Sequence, residues 1–323
     1  MNPKTTRRAA LLGALALSAA PRLARAQSWP DKPVRIVVAF PPGSSTDVLA
    51  RALANALQPV LGQPVVVENR PGAGGNIATV AVRRGPADGS VFLAHSVAFS
   101  VNPSLFRNAG YEATEFEPVA MLASTPNIIT VNPEKLQVSS LPELIAAARA
   151  RPLDYGSSGI GTTTHLGMEL LFRRLAGVEI QHVPFGPAQA VTAVVGGQVP
   201  VGSTSLPPAL PMVREGRLRG IAVTSLRRDP SLPDVPTVAE QGFPGFEALT
   251  WFAMVAPPGT PAEICDRMNV EVNRALTSPE LRPRLNAAGF VPDPRPRDAF
   301  AAYLREEVGK WAEVVRLSGA RAE

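Results

Sequence analysis

The sequence predicts an α/β protein built from two similar units. Segments rich in β-branched residues alternate with segments that carry apolar residues at helical spacing. In each unit, one predicted strand runs directly into a loop of Gly, Ser and Thr that opens a helix. The chain has 323 residues, enough for about two domains. Strands that alternate with helices in this way indicate parallel sheets with right-handed crossovers.

Residues 1–26 predict a signal peptide of the twin-arginine type. A basic start that includes Arg7 and Arg8 precedes a largely apolar run at 9–20, and Ala24-Arg25-Ala26 provides a cleavage site. The apolar run is too short for a transmembrane helix, which needs about 20 residues. We therefore expect an exported, soluble protein whose mature chain begins at Gln27.

The first unit follows the signal peptide. Its predicted elements are a strand at 34–40, a loop at 41–47, a helix at 48–57, a strand at 65–69, a loop at 70–76, a helix at 77–83 and a strand at 91–96. Because ligands bind at the carboxyl ends of strands in open α/β sheets, the loop at 41–47 is a candidate site.

The second unit repeats this strand–loop–helix arrangement in the middle of the chain. Its predicted elements are strands at 128–131, 153–156, 180–183 and 199–203, a loop at 157–164, and helices at 165–175 and 188–195. The first of these helices is expected to bury Leu166, Leu170, Leu171 and Leu175. The tail after Pro261 is predicted to contain helices only.

Charge and composition exclude several classes of function. Of the 32 basic residues, five lie in the first 26 positions, which hold no acid, so the remainder carries 27 basic and 27 acidic groups. A chain with no net charge and no long basic run is not expected to bind nucleic acid. One cysteine and three histidines without metal-site spacing predict no disulfide, metal or other cofactor.

The two glycine-, serine- and threonine-rich loops lack the motifs of common enzymes. Neither contains the lysine of a phosphate-binding P-loop, and the run from Gly72 has Ile77 where a dinucleotide fold needs a third glycine. Ser158 resembles the centre of a nucleophile elbow, but Ile160 stands where that turn requires glycine. An exported hydrolase is therefore a minor alternative. A helix N-terminus without Arg or Lys in its loop favours a small carboxylate over a phosphate.

Seven motifs in order resemble the Bug family, the TctC-like extracytoplasmic solute receptors of tripartite tricarboxylate transporters. The motifs are Phe40-Pro41-Pro42-Gly43-Ser44-Ser45-Thr46-Asp47, Glu68-Asn69-Arg70-Pro71-Gly72-Ala73-Gly74-Gly75-Asn76, Tyr155-Gly156-Ser157-Ser158-Gly159-Ile160-Gly161-Thr162 with His165, His182-Val183-Pro184-Phe185, Gly196-Gly197-Gln198-Val199, Ala222-Val223-Thr224-Ser225 and Leu232-Pro233-Asp234-Val235-Pro236-Thr237. Together they cover essentially the whole mature chain.

The resemblance implies a two-lobed periplasmic-binding-protein, or Venus-flytrap, fold with two α/β sheets joined by hinge strands and a helical C-terminal tail. Lobe one would comprise 27–125 and 220–323, and lobe two 126–219. It also implies a monomeric periplasmic receptor without enzymatic activity that passes a small organic carboxylate to membrane permease subunits. A ligand-sensing receptor for a membrane signalling protein is an alternative with the same fold.

The resemblance also implies which residues bind the ligand. These are Gly43, Ser44, Ser45, Thr46, Asp47, Asn76 and Ser96 in lobe one, and Gly161, Thr162, Thr163 and His165 in lobe two. Thr46 and Asp47 have a second interpretation as helix caps. The sequence departs from the family pattern at Phe185, Gly186, Ala193 and Pro200, where the far end of the ligand would lie.

Overall fold

The computed structural model describes residues 29–318 and 321–322. The predicted signal peptide at 1–26 and the cleavage site before Gln27 lie outside these residues. Within the described part, no helix is both long enough and apolar enough to cross a membrane.

Ten strands of the described residues form two sheets that share one long strand. The strands are β1 (Val34–Val38), β2 (Val65–Asn69), β3 (Val91–Ser96), β4 (Glu117–Val131), β5 (Asp154–Ser157), β6 (Gln181–Pro184), β7 (Val201–Ser205), β8 (Arg219–Val223), β9 (Leu249–Ala256) and β10 (Val291–Pro292). The first sheet has the order β2-β1-β3-β9-β4, and the second continues as β4-β7-β5-β6, with β8 on the free edge of β4. The α/β class predicted from the sequence is confirmed.

In the described part of the chain, ten helices cover the two sheets. They are α1 (Ser45–Leu61), α2 (Asn76–Arg83), α3 (Ala98–Leu105), α4 (Leu141–Ala150), α5 (Thr163–Met168), α6 (Pro187–Val195), α7 (Leu206–Arg214), α8 (Ala262–Thr277), α9 (Leu281–Ala287) and α10 (Arg297–Ser318). Helices α1, α8 and α9 bury one face of the first sheet, while α2, α3 and α10 bury the other. The second sheet has its own apolar clusters on its two faces.

The strand β4 connects the two sheets without a break. Residues up to Pro126 pair with β9 in the first sheet, and residues from Asn127 pair with β7 in the second. At this junction Thr224 accepts a hydrogen bond from the Asn127 backbone N–H at 2.8 Å, and its hydroxyl donates to the Ala248 carbonyl at 2.6 Å. Thr224 therefore ties together the two places where the described chain crosses between the sheets, at Asn127 and near Ala248.

The structure corrects two predictions about individual elements. The tail is not entirely helical, because β10 pairs antiparallel with Ala123–Ser124 of β4; the turn at Gly289, with φ of +83°, reverses the chain into this extended segment. Leu170 and Leu175 are exposed, not buried, because α5 continues as a π-helix over Glu169–Leu175. A π-helix shifts side chains away from the 3.6-residue period on which the prediction depended.

The position of β8 bears on the proposed lobe boundary at 219/220. This strand lies in the second sheet, where Ala222 pairs with Ile129. Val235 and Phe246, farther along the chain, also pack in the apolar clusters of the second sheet. The hydrogen bonds and packing therefore associate residues 219–246 with the second sheet, whereas the boundary expected from the family resemblance places the chain from 220 onward in lobe one.

Candidate functional site

Five helices begin around one cavity between the two sheets. The residues at these helix starts that line the cavity are Ser44 for α1, Val97 for α3, Thr162 for α5, Pro187 for α6 and Ser205 for α7. Each helix follows the carboxyl end of a strand, so the topology directs all five N-termini to the same place. Because a helix N-terminus carries a partial positive charge, this arrangement favours an anion.

The cavity has a volume of about 20 Å³, which is space for about one water molecule. Its lining consists of hydroxyl-bearing and apolar residues: Phe40, Ser44, Ser45, Thr46, Ser96, Val97, Ser158, Thr162, Thr163, Thr164, Pro187, Ser205, Thr250 and Phe252. A ligand larger than one water therefore requires the two sheets to move apart.

Hydroxyl groups connect the two sheets directly across the cavity. The Ser45 and Ser205 oxygens lie 2.7 Å apart, within hydrogen-bond distance. Thr163 hydrogen-bonds to Thr250, whose hydroxyl in turn donates to Asn127 Oδ1 at 2.7 Å. All five side chains are buried. Two separate sets of hydrogen bonds therefore close the site, and one of them includes Asn127, the junction residue of β4.

Asp47 organises the first loop without lining the cavity. Its carboxylate accepts hydrogen bonds from Arg51, from Asn69 at 2.8 Å and from the Gly43 backbone N–H at 2.9 Å. Burial disfavours its charge, but these hydrogen bonds outweigh that effect and lower the pKa of the Asp47 carboxyl below its usual value. Its backbone N–H donates to Ser44, which caps α1. Asp47 thus holds Gly43 and the start of α1 in place.

Asn76 lies outside the lining and supports a neighbouring helix. Its Oδ1 accepts a hydrogen bond from Asn102 Nδ2 at 2.7 Å, and Asn102 Nδ2 also donates to the Gly74 carbonyl at 3.0 Å. These contacts hold the glycine loop against α3. Ser96, the other candidate that the sequence places after the first loop, does line the cavity.

The second loop is held from behind by a pair of stacked histidines. The rings of His165 and His182 lie 4.0 Å apart with an interplanar angle of 16°. His165 Nδ1 accepts the Gly161 backbone N–H at 3.3 Å, and His182 Nε2 lies 2.6 Å from the Ser157 hydroxyl. The histidines therefore position the loop and do not line the cavity.

The environment keeps these histidines neutral. Burial, followed by the charge of Arg173, lowers the pKa of His165 to about 4. Burial, followed by repulsion from His165, lowers the pKa of His182 to about 3. His95 lies beneath the glycine loop, fully buried, and burial lowers its pKa to about 4.

Folding is expected to become less favourable as the pH falls from about 6.5 to about 4. The unfolded chain binds protons at the ordinary histidine pKa, whereas the folded chain does so only at lower pH. The free energy of unfolding is thus retained above the histidine pKa of the unfolded chain and falls below that pKa. For buried His95 the loss in the free energy of unfolding at pH 5 is about 2 kcal/mol. Urea unfolding at pH 7 and at pH 5 measures this loss. Equal free energies of unfolding at the two pH values would contradict the prediction.

The structure brings together some of the predicted site residues and separates others. The cavity is lined by Ser44, Ser45, Thr46, Ser96, Thr162 and Thr163. Behind this lining lie Gly43, Asp47, Asn76, Gly161 and His165, which hold the loops by hydrogen bonds and close packing.

Sequence reasoning missed several lining residues. These are Phe40, Val97, Ser158, Thr164, Pro187, Ser205, Thr250 and Phe252. Ser205 had a recognisable signal, because a strand with the sequence Val201-Gly202-Ser203-Thr204-Ser205 ends there and a helix follows. Ser158 Oγ is buried and has no hydrogen-bond partner, which marks it as a group available to a ligand. No three potential metal ligands come together in the described part of the chain.

Comparison with known proteins identifies the family. A family model described as "Tripartite tricarboxylate transporter family receptor" matches residues 49–319. Protein BugT of Bordetella pertussis is 39% identical over 302 residues, which cover 92% of each chain. An R. palustris protein solved with adipate is 36% identical with a TM-score of 0.87, covering 91% of this chain and 99% of that one.

Two further solved structures agree with this match. MatC from Rhodopseudomonas palustris, solved with bound malate, is 33% identical with a TM-score of 0.83 and covers 89% of this chain and all of its own. The periplasmic binding protein BugD is 33% identical with a TM-score of 0.86, again over 91% of this chain and the whole of that one. The two-lobed periplasmic-binding-protein fold expected from the sequence is confirmed, and the chain belongs to the tripartite tricarboxylate transporter receptor family, among its Bug proteins.

Proposed function

We propose that this protein is a periplasmic receptor that captures a small organic carboxylate between its two lobes and delivers it to a tripartite tricarboxylate-type permease. The observation that carries the proposal is the convergence of five helix N-termini on one hydroxyl-lined cavity between the sheets. The adipate and malate bound by two relatives are carboxylates of the kind that such a site would hold.

Hydrogen bonds from neutral groups are sufficient to bind a carboxylate with micromolar affinity. Each hydrogen bond to a charged group contributes about 1.5–3 kcal/mol, and the helix N-termini add about 0.3–1 kcal/mol each. Several such contacts reach about 8 kcal/mol, which corresponds to micromolar binding. The carboxylate would occupy the position where the hydroxyls of Ser45 and Ser205 now meet, so that it bridges the lobes.

Closure around the ligand requires a hinge, and the junction at Asn127 supplies one. The described chain crosses between the sheets at Asn127 and near Ala248, and Thr224 is bonded to both; a few such positions can absorb the rotation of a closing two-domain protein. A permease that binds only the closed form would bind only receptor that carries ligand. This selective binding by the permease is the step that would make the protein a transport receptor.

The exchange of Thr162 for valine tests the role of the second loop. The Thr162 hydroxyl donates to the Gly159 carbonyl at 2.7 Å and contacts the Thr164 hydroxyl at 2.7 Å. Removing it takes the shortest hydrogen bond from each of these groups and loosens the second loop, so we expect carboxylate affinity to fall about 5- to 150-fold, or about 1–3 kcal/mol. Isothermal titration calorimetry with a panel of carboxylates measures the change.

Arg70→Ala provides the control for that experiment. Arg70 is exposed and pairs with Glu68 at 2.6 Å, away from the cavity lining. We expect this variant to bind normally. Loss of binding in Arg70→Ala together with normal binding in Thr162→Val would show that an arginine, and not the helix starts, captures the carboxylate.

A further inference from the structure

The helix α5 packs against both sheets. Met168 at its end and Leu171 just beyond it belong to an apolar cluster of the second sheet. Leu166 instead belongs to the cluster that α2, α3 and α10 form on the first sheet, and it is the only described residue of the segment 127–246 in that cluster. Leu166 is buried and does not line the cavity. A helix that packs on the second sheet therefore places one leucine in the core of the first lobe.

The part of the first lobe that receives Leu166 is held firmly in place. Thr163, which lies on the same face of α5 one turn before Leu166, hydrogen-bonds to Thr250 of β9. The next residue of β9, Trp251, is buried in the same cluster as Leu166. Its indole N–H donates to the buried carboxylate of Glu307 on α10 at 2.7 Å. This hydrogen bond fixes the aromatic ring of the cluster from the side of the C-terminal helix.

Separation of the lobes has to disturb the packing of Leu166. A rotation at Asn127 and Ala248 carries α5 along with the second sheet, because Met168 and Leu171 are anchored in that sheet's core. Leu166 then leaves the cluster of the first lobe and gives up its buried contacts there. Exposing an apolar side chain and opening a void in a packed core both cost free energy. The contact therefore favours the closed form, whatever ligand lies in the cavity.

We infer that Leu166 is a positioning residue that sets ligand affinity by stabilising the closed form, although it does not touch the ligand. This inference rests on the proposed function and identifies a residue that controls binding at the same site. Because Leu166 packs into the first lobe only when the lobes come together, its contact acts after the ligand has entered. Loss of the contact is therefore expected to speed ligand release much more than it slows ligand capture.

Replacement of Leu166 by alanine tests the inference, with Leu144→Ala as the matched control. Leu144 lies on α4 and is fully buried in the cluster of the second sheet, so its exchange removes the same atoms from a core that stays intact on closure. The probes are adipate, malate and butyrate, titrated by calorimetry into the full mature chain. We expect Leu166→Ala to bind about tenfold more weakly than the wild type, or about 1.4 kcal/mol, and Leu144→Ala to stay within about twofold. Stopped-flow fluorescence should show the tenfold change in the dissociation rate.

Two conservative variants keep the test decisive if Leu166→Ala fails to fold. Leu166→Met preserves the volume and is expected to bind within about twofold of the wild type. Leu166→Val removes one methylene and is expected to bind about threefold more weakly. Wild-type affinity in both the alanine and the valine variants overturns this inference alone, and so does an equal loss of affinity in Leu144→Ala and Leu166→Ala. Absence of binding of all three probes by the wild type overturns the proposed carboxylate function with it.

Discussion

Replacing Gly161 with valine is expected to reduce ligand affinity more than about 100-fold, corresponding to about 3 kcal/mol. Gly161 has a φ of +78°, a conformation that β-branched residues rarely adopt. A Cβ at this position would lie 2.2 Å from Cδ2 of Leu105, which is buried at the end of α3 in the part of the chain that packs on the first sheet. The valine therefore strains the second loop and holds the two lobes apart. Calorimetry with the best-binding carboxylate measures the loss.

Two variants separate backbone strain from the clash with Leu105. Gly177→Val places valine at a φ of +61° with no atom within 4 Å of the new Cβ, so it introduces strain without a clash. We expect that variant to bind normally. Combining Gly161→Ala with Leu105→Ala makes room at the contact and is expected to restore part of the affinity lost by Gly161→Ala alone. Failure of the double variant to recover any affinity would contradict the proposed obstruction of closure.

Replacing Asp47 with alanine is expected to lower the free energy of unfolding by about 2–3 kcal/mol. The change removes the acceptor for Arg51, Asn69 and the Gly43 backbone N–H together. Because Arg51 is half exposed and can be hydrated, the loss is smaller than for a fully buried pair. The first loop also loses its anchor, so we expect ligand affinity to fall at least about tenfold, or about 1.4 kcal/mol.

Asp47→Asn is the matched control for that prediction. Its amide keeps the size of the side chain and one acceptor oxygen, so it retains the contact with the Gly43 N–H while losing the charge. We expect a stability between those of the wild type and Asp47→Ala in urea unfolding. If Asp47→Ala were as stable as the wild type, the carboxylate would not organise the loop.

Local patterns predicted several elements of this fold, because the formation of those elements depends on neighbours in sequence. The strand β1 and the capped start of α1 follow from a β-branched run and from Ser44 with Asp47. The π-helical continuation of α5 was missed because its i to i+5 hydrogen bonds leave no residue-type signal in Glu169–Leu175. The pairing of β8 was missed because it depends on which edge of β4 remains free.

The site was only half predictable for a related reason. Ser44–Thr46 and Thr162 belong to loops with a recognisable strand–loop–helix pattern. Thr250 lies within β9, whose place beside β4 is set by the sheet order and not by its own sequence. The family resemblance assigns Asn76 to the ligand, whereas in the structure its side-chain oxygen accepts a hydrogen bond from Asn102 on α3. Contacts between residues that are distant in sequence determine whether such side chains line the cavity.

The position of β9 also constrains the order in which the chain can fold. This strand lies between β3 and β4, which are close in sequence, yet it is translated more than a hundred residues after them. Strands of the second sheet are mostly made in sequence between β4 and β8, so that sheet can assemble from an unfinished chain. The first sheet stays open, with two unpaired inner edges, until the C-terminal third emerges. Such non-local pairing slows folding and exposes apolar edges to aggregation in the meantime, so the lobe that is synthesised first is the last to complete its sheet.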